Sequence, residues 1–217
     1  MSKQFLIILA VIVLGLFGVL MLTNKDKGSG GGSGSNSSAT TATEHIVGKG
    51  EKNVTIVEYG DFQCPACALF HPIIKQIKAD YGDQIKFQFR HFPLVQIHPN
   101  AYIASRAAEA AGKQGKFFEM HDLLYEQQDS WKSSTDPTEQ FVSYASQLGL
   151  NTDQLKSDMQ SEAVSGAINA DLKAGKDVNV NSTPTFFING RKIDQNPQSL
   201  DDFKKIIDEE IAKSSQQ

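Results

Sequence analysis

Two cysteines are all that the 217 residues contain, and they sit together as Cys64-Pro65-Ala66-Cys67. So few cannot form the disulfide framework that holds small secreted domains together. Arginine is scarce as well. Arg90, Arg106 and Arg191 are the only arginines among 21 basic residues, which face 25 acidic ones for a net charge of -4. That excludes the arginine-rich basic stripe of a nucleic-acid-binding surface. With 40% hydrophobic and 21% charged residues, the chain is neither disordered throughout nor collagen-like.

What is present falls into three segments. Phe5 to Leu22 is an uncharged, almost wholly apolar run between Lys3 and Lys25. As a helix it spans ~27 Å, enough to cross a hydrocarbon core, and it lacks the polar face of a surface helix. A cleaved secretory signal has a shorter apolar region followed by a small-x-small site, and Val19-Leu20-Met21-Leu22-Thr23 offers a poor one. Residues 1–23 are therefore expected to be an uncleaved, single-pass transmembrane signal anchor, with a cleaved signal peptide as the alternative. Lys3 and the terminal amine oppose Lys25 and Lys27, so flanking charge does not orient it. Residues 24–43 are dominated by Gly, Ser, Thr and Asn. They read as a flexible linker with an r.m.s. span of ~25 Å. Residues 44–217 are long enough for one good core. Their 18 basic and 24 acidic residues should hold that domain off an anionic bilayer.

Within the domain, Val54-Thr55-Ile56-Val57-Glu58-Tyr59 reads as a buried central strand. After a turn at Gly60-Asp61-Phe62-Gln63, Phe70, Ile73, Ile74 and Ile77 fall at helical spacing, with Pro72 expected to kink the helix. Ile85 to Phe92 alternates like a second strand and stops at Pro93, so strand, helix and strand make a parallel βαβ unit. From about 98 to 176 there is no strand signal, only helical spacings. Strand character returns at Thr185-Phe186-Phe187-Ile188, and Asn189-Gly190 turns it into Arg191-Lys192-Ile193. A last helix starts at Ser199, with Phe203, Ile206, Ile207 and Ile211 on one face. The expectation is an α/β domain with a mixed sheet and helices on both faces.

The chemistry-bearing residues stand at the start of the first helix. Positions i and i+3 there lie ~5–6 Å apart, within disulfide range. Cys64 would be the N-cap and Pro65 the first helical residue, where a missing N–H costs nothing. Unpaired backbone N–H groups and the positive end of the helix dipole favour a Cys64 thiolate. Cys67, one turn in, is less exposed. That asymmetry makes Cys64 the attacking and leaving sulfur and Cys67 the resolving one. Three other readings stand beside it. A structural disulfide would close too small a loop to stabilise much. A zinc site would want four ligands, and only His71 lies near, so no metal is expected. A chance CxxC would not require the preceding strand and following helix.

Glu58 to Cys67, followed far downstream by Thr183-Pro184-Thr185-Phe186-Phe187-Ile188-Asn189-Gly190, resembles a DsbA-type thiol–disulfide oxidoreductase. The resemblance covers about residues 46–213 and implies a thioredoxin-like fold with an inserted helical subdomain. It implies that Thr183-Pro184 is a cis-proline loop packed against the redox pair. Such a proline, lacking an N–H, leaves neighbouring backbone free to pair with an extended substrate. Family members carry an acidic residue beneath the disulfide, which falls here on Glu58. A carboxyl buried there would have a raised pKa and relay the Cys67 proton; the alternative is a strand-edge glutamate facing solvent. His71, His91, His98 and His121 are expected at the surface or as caps. Strongly oxidising members often have histidine where this chain has Ala66, so the expected oxidant is weaker than the family's extreme yet stronger than a thioredoxin.

The function these readings favour is an anchored, extracytoplasmic oxidase that donates its Cys64–Cys67 disulfide to unfolded exported proteins bearing free thiols. No cofactor beyond that disulfide is expected, and by family analogy a quinone-linked membrane partner would reoxidise it. An oxidising compartment is where such chemistry belongs, which puts the N-terminus in the cytoplasm. A reductase or isomerase of the same fold, or a non-enzymatic peptide-binding module, is the alternative.

Overall fold

The computed structural model describes residues 42–215. The expected anchor at 5–22, and the linker up to residue 41, lie outside them. Among the described residues no helix is long and apolar enough to cross a membrane.

Strand β1 (His45–Val47) is followed by β2 (Val54–Gly60), helix α1 (Pro65–Tyr81), a 3-10 turn (Gly82–Gln84) and β3 (Ile85–His91). Six helices come next: α2 (Ala101–Gly112), α3 (Phe117–Glu126), α4 (Gln128–Trp131), α5 (Thr138–Gln147), α6 (Thr152–Met159) and α7 (Glu162–Asp177). The chain ends in β4 (Thr185–Ile188), β5 (Arg191–Lys192) and α8 (Leu200–Ser214). The sheet order is β1-β3-β2-β4-β5. β2 is central, parallel to β3 from Val54↔Ile85 to Gly60↔His91 and antiparallel to β4 from Ile56↔Ile188 to Tyr59↔Thr185. The βαβ unit and the hairpin form as the patterning predicts; Asn189 and Gly190 both take the positive φ that a tight hairpin turn demands. Ser199 caps α8 by accepting the Asp202 N–H.

Both sheet faces are covered, because side chains alternate along a strand. Val54, Ile56, Phe87, Phe89, Phe186 and Ile188 join the larger core beneath α1, α8 and most of the helical block. Tyr59 and Phe187 point the other way, into a smaller cluster with Phe92, Val180 and Leu172 of α7. At the end of β2 only glycine fits: a Cβ on Gly60 would stand 2.4 Å from the Phe89 ring and 3.0 Å from Tyr125 Oη.

Three sequence expectations need correction. Helix α1 buries Cys67, His71, Ile74 and Ile77, with Phe70 and Ile73 only part-covered, so its core stripe is rotated from the apolar spacing. His71, His91 and His121 are all buried, not at the surface, since helices packing over α1 and β3 enclose them; His98 pairs with buried Asp61. Strand β1 carries no periodicity in three residues and was not anticipated. Helix α1 is continuous through Pro72.

One buried carboxylate fastens the start of the domain to the sheet. Asp171 of α7 is 0% exposed and accepts hydrogen bonds from Thr43 N and Oγ1 at 2.8 and 2.6 Å, Arg90 Nη1 at 2.9 Å and His91 N at 3.0 Å.

Candidate active site

The central strand delivers the chain to the site and a polar scaffold shapes the turn that follows. Buried Asp61 accepts hydrogen bonds from Gln63 N at 2.8 Å, Leu94 N at 2.8 Å and His98 Nδ1 at 2.7 Å. Gln63 reaches the helical block, accepting Asn100 N at 2.6 Å and donating to the Lys132 carbonyl at 2.7 Å. From α4, Gln128 donates to the Phe62 and Cys64 carbonyls at 2.7 and 3.1 Å. None of Asp61, Gln63, Asn100 or Gln128 was singled out from sequence. Their only local signal is a run of polar residues at a turn, and apart from the Gln63 N–H on Asp61 their side-chain partners lie 31 or more residues away.

Cys64 is the N-cap of α1 with extended backbone (φ -69°, ψ 122°), and Pro65 takes the first helical position. Pro65 is exposed and Ala66 half-buried, and neither brings charge. Cys64 Sγ lies 3.3 Å from the Thr183 carbonyl oxygen. Thr183-Pro184 is a cis peptide, and β4 begins at the next residue.

The two thiols differ sharply. A hydrogen bond from the Cys67 thiol lowers the Cys64 pKa to about 5, helped by the N–H groups of Cys67 and Ala66 and opposed by burial. Cys67 is fully buried, and burial, together with the negative Cys64 sulfur and Glu58, pushes its thiol well above the ordinary value. Glu58 is 3% exposed; burial raises its carboxyl to about 8, the Cys64 charge adds to this, and Lys78 opposes it. The solvent-facing alternative for Glu58 is therefore wrong. Tyr125 of α3 also belongs to this neighbourhood. Its hydroxyl is buried, and burial and then the charges of Cys67, Glu58, Asp61 and Cys64 hold its pKa well above the usual phenol range. Sequence reading did not select it.

The structure thus brings Cys64, Cys67, Glu58, Thr183 and Pro184 to one place. A CxxC pair at a helix N-terminus, facing a cis-proline across a mixed sheet, is the redox site of a thioredoxin-fold thiol–disulfide oxidoreductase. Comparison with known proteins gives the same class. The family model described as thioredoxin matches residues 40–209, and the chain belongs to that family. Among solved structures, oxidised BdbD from Bacillus subtilis is 26% identical, with a TM-score of 0.68 over 80% of this chain and 98% of that one. The fold is shared with alpha-DsbA1 from Wolbachia pipientis, 23% identical, with a TM-score of 0.67 over 79% of this chain and 92% of that one. A Na(+)/H(+) antiporter NhaA 3 from Salinispora tropica is 39% identical over 149 residues, 69% of this chain. The chain spans only 22% of that antiporter's length.

Proposed function

We propose that the chain is a membrane-anchored, extracytoplasmic dithiol oxidase, held by residues 5–22 and passing its Cys64–Cys67 disulfide to unfolded exported proteins. The observation that carries this reading is the split between the two sulfurs, one pulled down to about 5 and the other pushed well above 9. A Cys64 that is stable as thiolate is a good leaving group, so the reduced pair is favoured and the disulfide is readily given away.

The reaction balances as follows. A substrate thiolate attacks Cys64 Sγ, the Cys64–Cys67 bond breaks, and the electron pair goes to Cys67. Cys67 does not persist as a buried thiolate and takes a proton; Glu58, with a pKa of about 8, is protonated at neutral pH and supplies it. A second substrate thiolate then attacks the substrate sulfur of the mixed disulfide and Cys64 leaves as thiolate. Two electrons stay on the pair until a quinone-linked membrane partner removes them. Unfolded clients suit the surroundings: Leu69 is 74% exposed just after Cys67, and Ile97 is 69% exposed on the segment tied to Asp61. Beside Cys64, the Thr183 backbone would pair with an extended client.

The test is the reduction potential and Cys64 pKa of the full chain. A Cys64 pKa near 5 lies between about 7 for thioredoxin and about 3.5 for DsbA, and the matching potential falls between about -270 and about -120 mV. A value at the thioredoxin end sinks the oxidase reading in favour of a reductase. For Glu58→Gln, the expected result is a transfer rate that falls roughly tenfold at neutral pH and loses its inflection near pH 8, with the Cys64 pKa little changed. An unchanged pH–rate profile removes Glu58 from the proton step.

A further inference from the structure

One turn below Cys67 on the same face of α1, His71 enters the core with its side chain only 5% exposed. Neither of its ring nitrogens hydrogen-bonds to any described residue. Burying an imidazole with both nitrogens unpartnered costs free energy, so something should repay it. Across the interface α3 presents His121, whose Nε2 is likewise unpartnered, and Asp122. His71 Nε2 lies 3.8 Å from Asp122 Oδ1, and His121 Nδ1 lies 3.0 Å from the same oxygen. One ligand atom from each of the three residues stands within 4.8 Å of the other two.

We propose that His71, His121 and Asp122 form a binding site for a divalent transition-metal ion of zinc type, joining the catalytic helix to the helical block beneath Cys67. Two imidazoles and a carboxylate are the donor set such ions take, and bonds of about 2.0–2.2 Å put tetrahedral donors about 3.4 Å apart. The separations of 3.8 and 3.0 Å bracket that value. The fourth position falls to water, because Glu126 Oε1, also 3.8 Å from His71 Nε2, is already held by Lys75 Nζ at 2.6 Å. Lys75 and Lys78 each lie 3.8 Å from Asp122, beyond hydrogen-bond length, so neither occupies its oxygens closely. A second trio, His45, His91 and Glu109, makes the contrast. There both histidine Nε2 atoms bond to Glu109 Oε1, whereas here only His121 bonds to the carboxylate, through Nδ1 to Asp122 Oδ1, and His71 is left with no partner among the described residues.

The experiment uses the untagged full chain, kept oxidised so that Cys64 and Cys67 cannot act as ligands. Titration with Zn²⁺ by calorimetry, and with Co²⁺ by visible absorption, should show one saturable, tetrahedral-type equivalent and a Zn²⁺-dependent rise in Tm. Because Asp122 is part-exposed, Asp122→Asn should fold normally and bind at least ~10-fold more weakly. His71→Gln should abolish binding and the Tm rise, and His45→Gln should leave both intact. No saturable binding by the oxidised chain, or equal affinity in Asp122→Asn and His71→Gln, overturns the proposal.

Discussion

The reduced chain is expected to gain stability over the oxidised chain as pH rises from about 5 to 9, by on the order of 5 kcal/mol. Cys64→Ser should abolish both this gain and all disulfide transfer. Cys64 titrates at about 5 when folded and at an ordinary 9.0 when unfolded. Between those values the unfolded chain holds a proton that the folded chain has released, so unfolding becomes harder as pH rises. The contribution is complete above 9 and is lost as pH falls through 5. Cys67 adds little until pH nears 9, where its unfolded thiol begins to ionise while the folded one stays protonated and so offsets part of the gain; in the oxidised chain neither sulfur titrates. Urea unfolding of both redox forms across the pH range measures the effect. Parallel stability curves for the two forms would show that Cys64 is not a stabilised thiolate. Cys67→Ser should behave differently from Cys64→Ser: it has no disulfide to donate, but its Cys64 thiolate still attacks substrate disulfides, and the resulting mixed disulfides accumulate because no neighbouring thiol can release Cys64 by re-forming the Cys64–Cys67 bond.

The second large effect is structural. Asp171→Ala is expected to cost about 3–5 kcal/mol, read as a fall in the urea midpoint with the slope unchanged. The carboxylate is fully buried and answers four donors, from Thr43, Arg90 and His91. Removing it leaves those donors unpaired and the Arg90 guanidinium without its counter-charge. Asp171→Asn should lose less, since it keeps the volume and one acceptor oxygen. A loss below about 1 kcal/mol for alanine would mean that water replaces the carboxylate freely.

The redox pair was legible in the sequence because its chemistry is local. N-cap position, the Pro65 start of the helix and the three-residue spacing of Cys64 and Cys67 are all set within one turn of chain. The hairpin at Asn189-Gly190 and the cap at Ser199 were legible for the same reason. Thr183-Pro184 was reached only through family resemblance, since 119 residues separate Cys64 from the carbonyl it meets. The histidines were misread. Imidazole is polar enough to suit a surface, and the apolar spacing of α1 pointed to Phe70 and Ile73. Only the packing of α3 against α1 turns His71 and His121 inward. Asp61 looked like a turn residue and is one, but the partners that make it a strut, Leu94 and His98, come from beyond β3.

By itself, then, the sequence determined where the two sulfurs stand, one at a helix N-terminus and one a turn further in, because a helix N-terminus and its dipole need no partner from elsewhere. Tertiary structure alone decided how deep Glu58 and Cys67 lie, that Tyr125 joins them, and that two histidines meet beneath the catalytic helix. Burial sums the contributions of elements far apart in the chain, and no local pattern contains that sum.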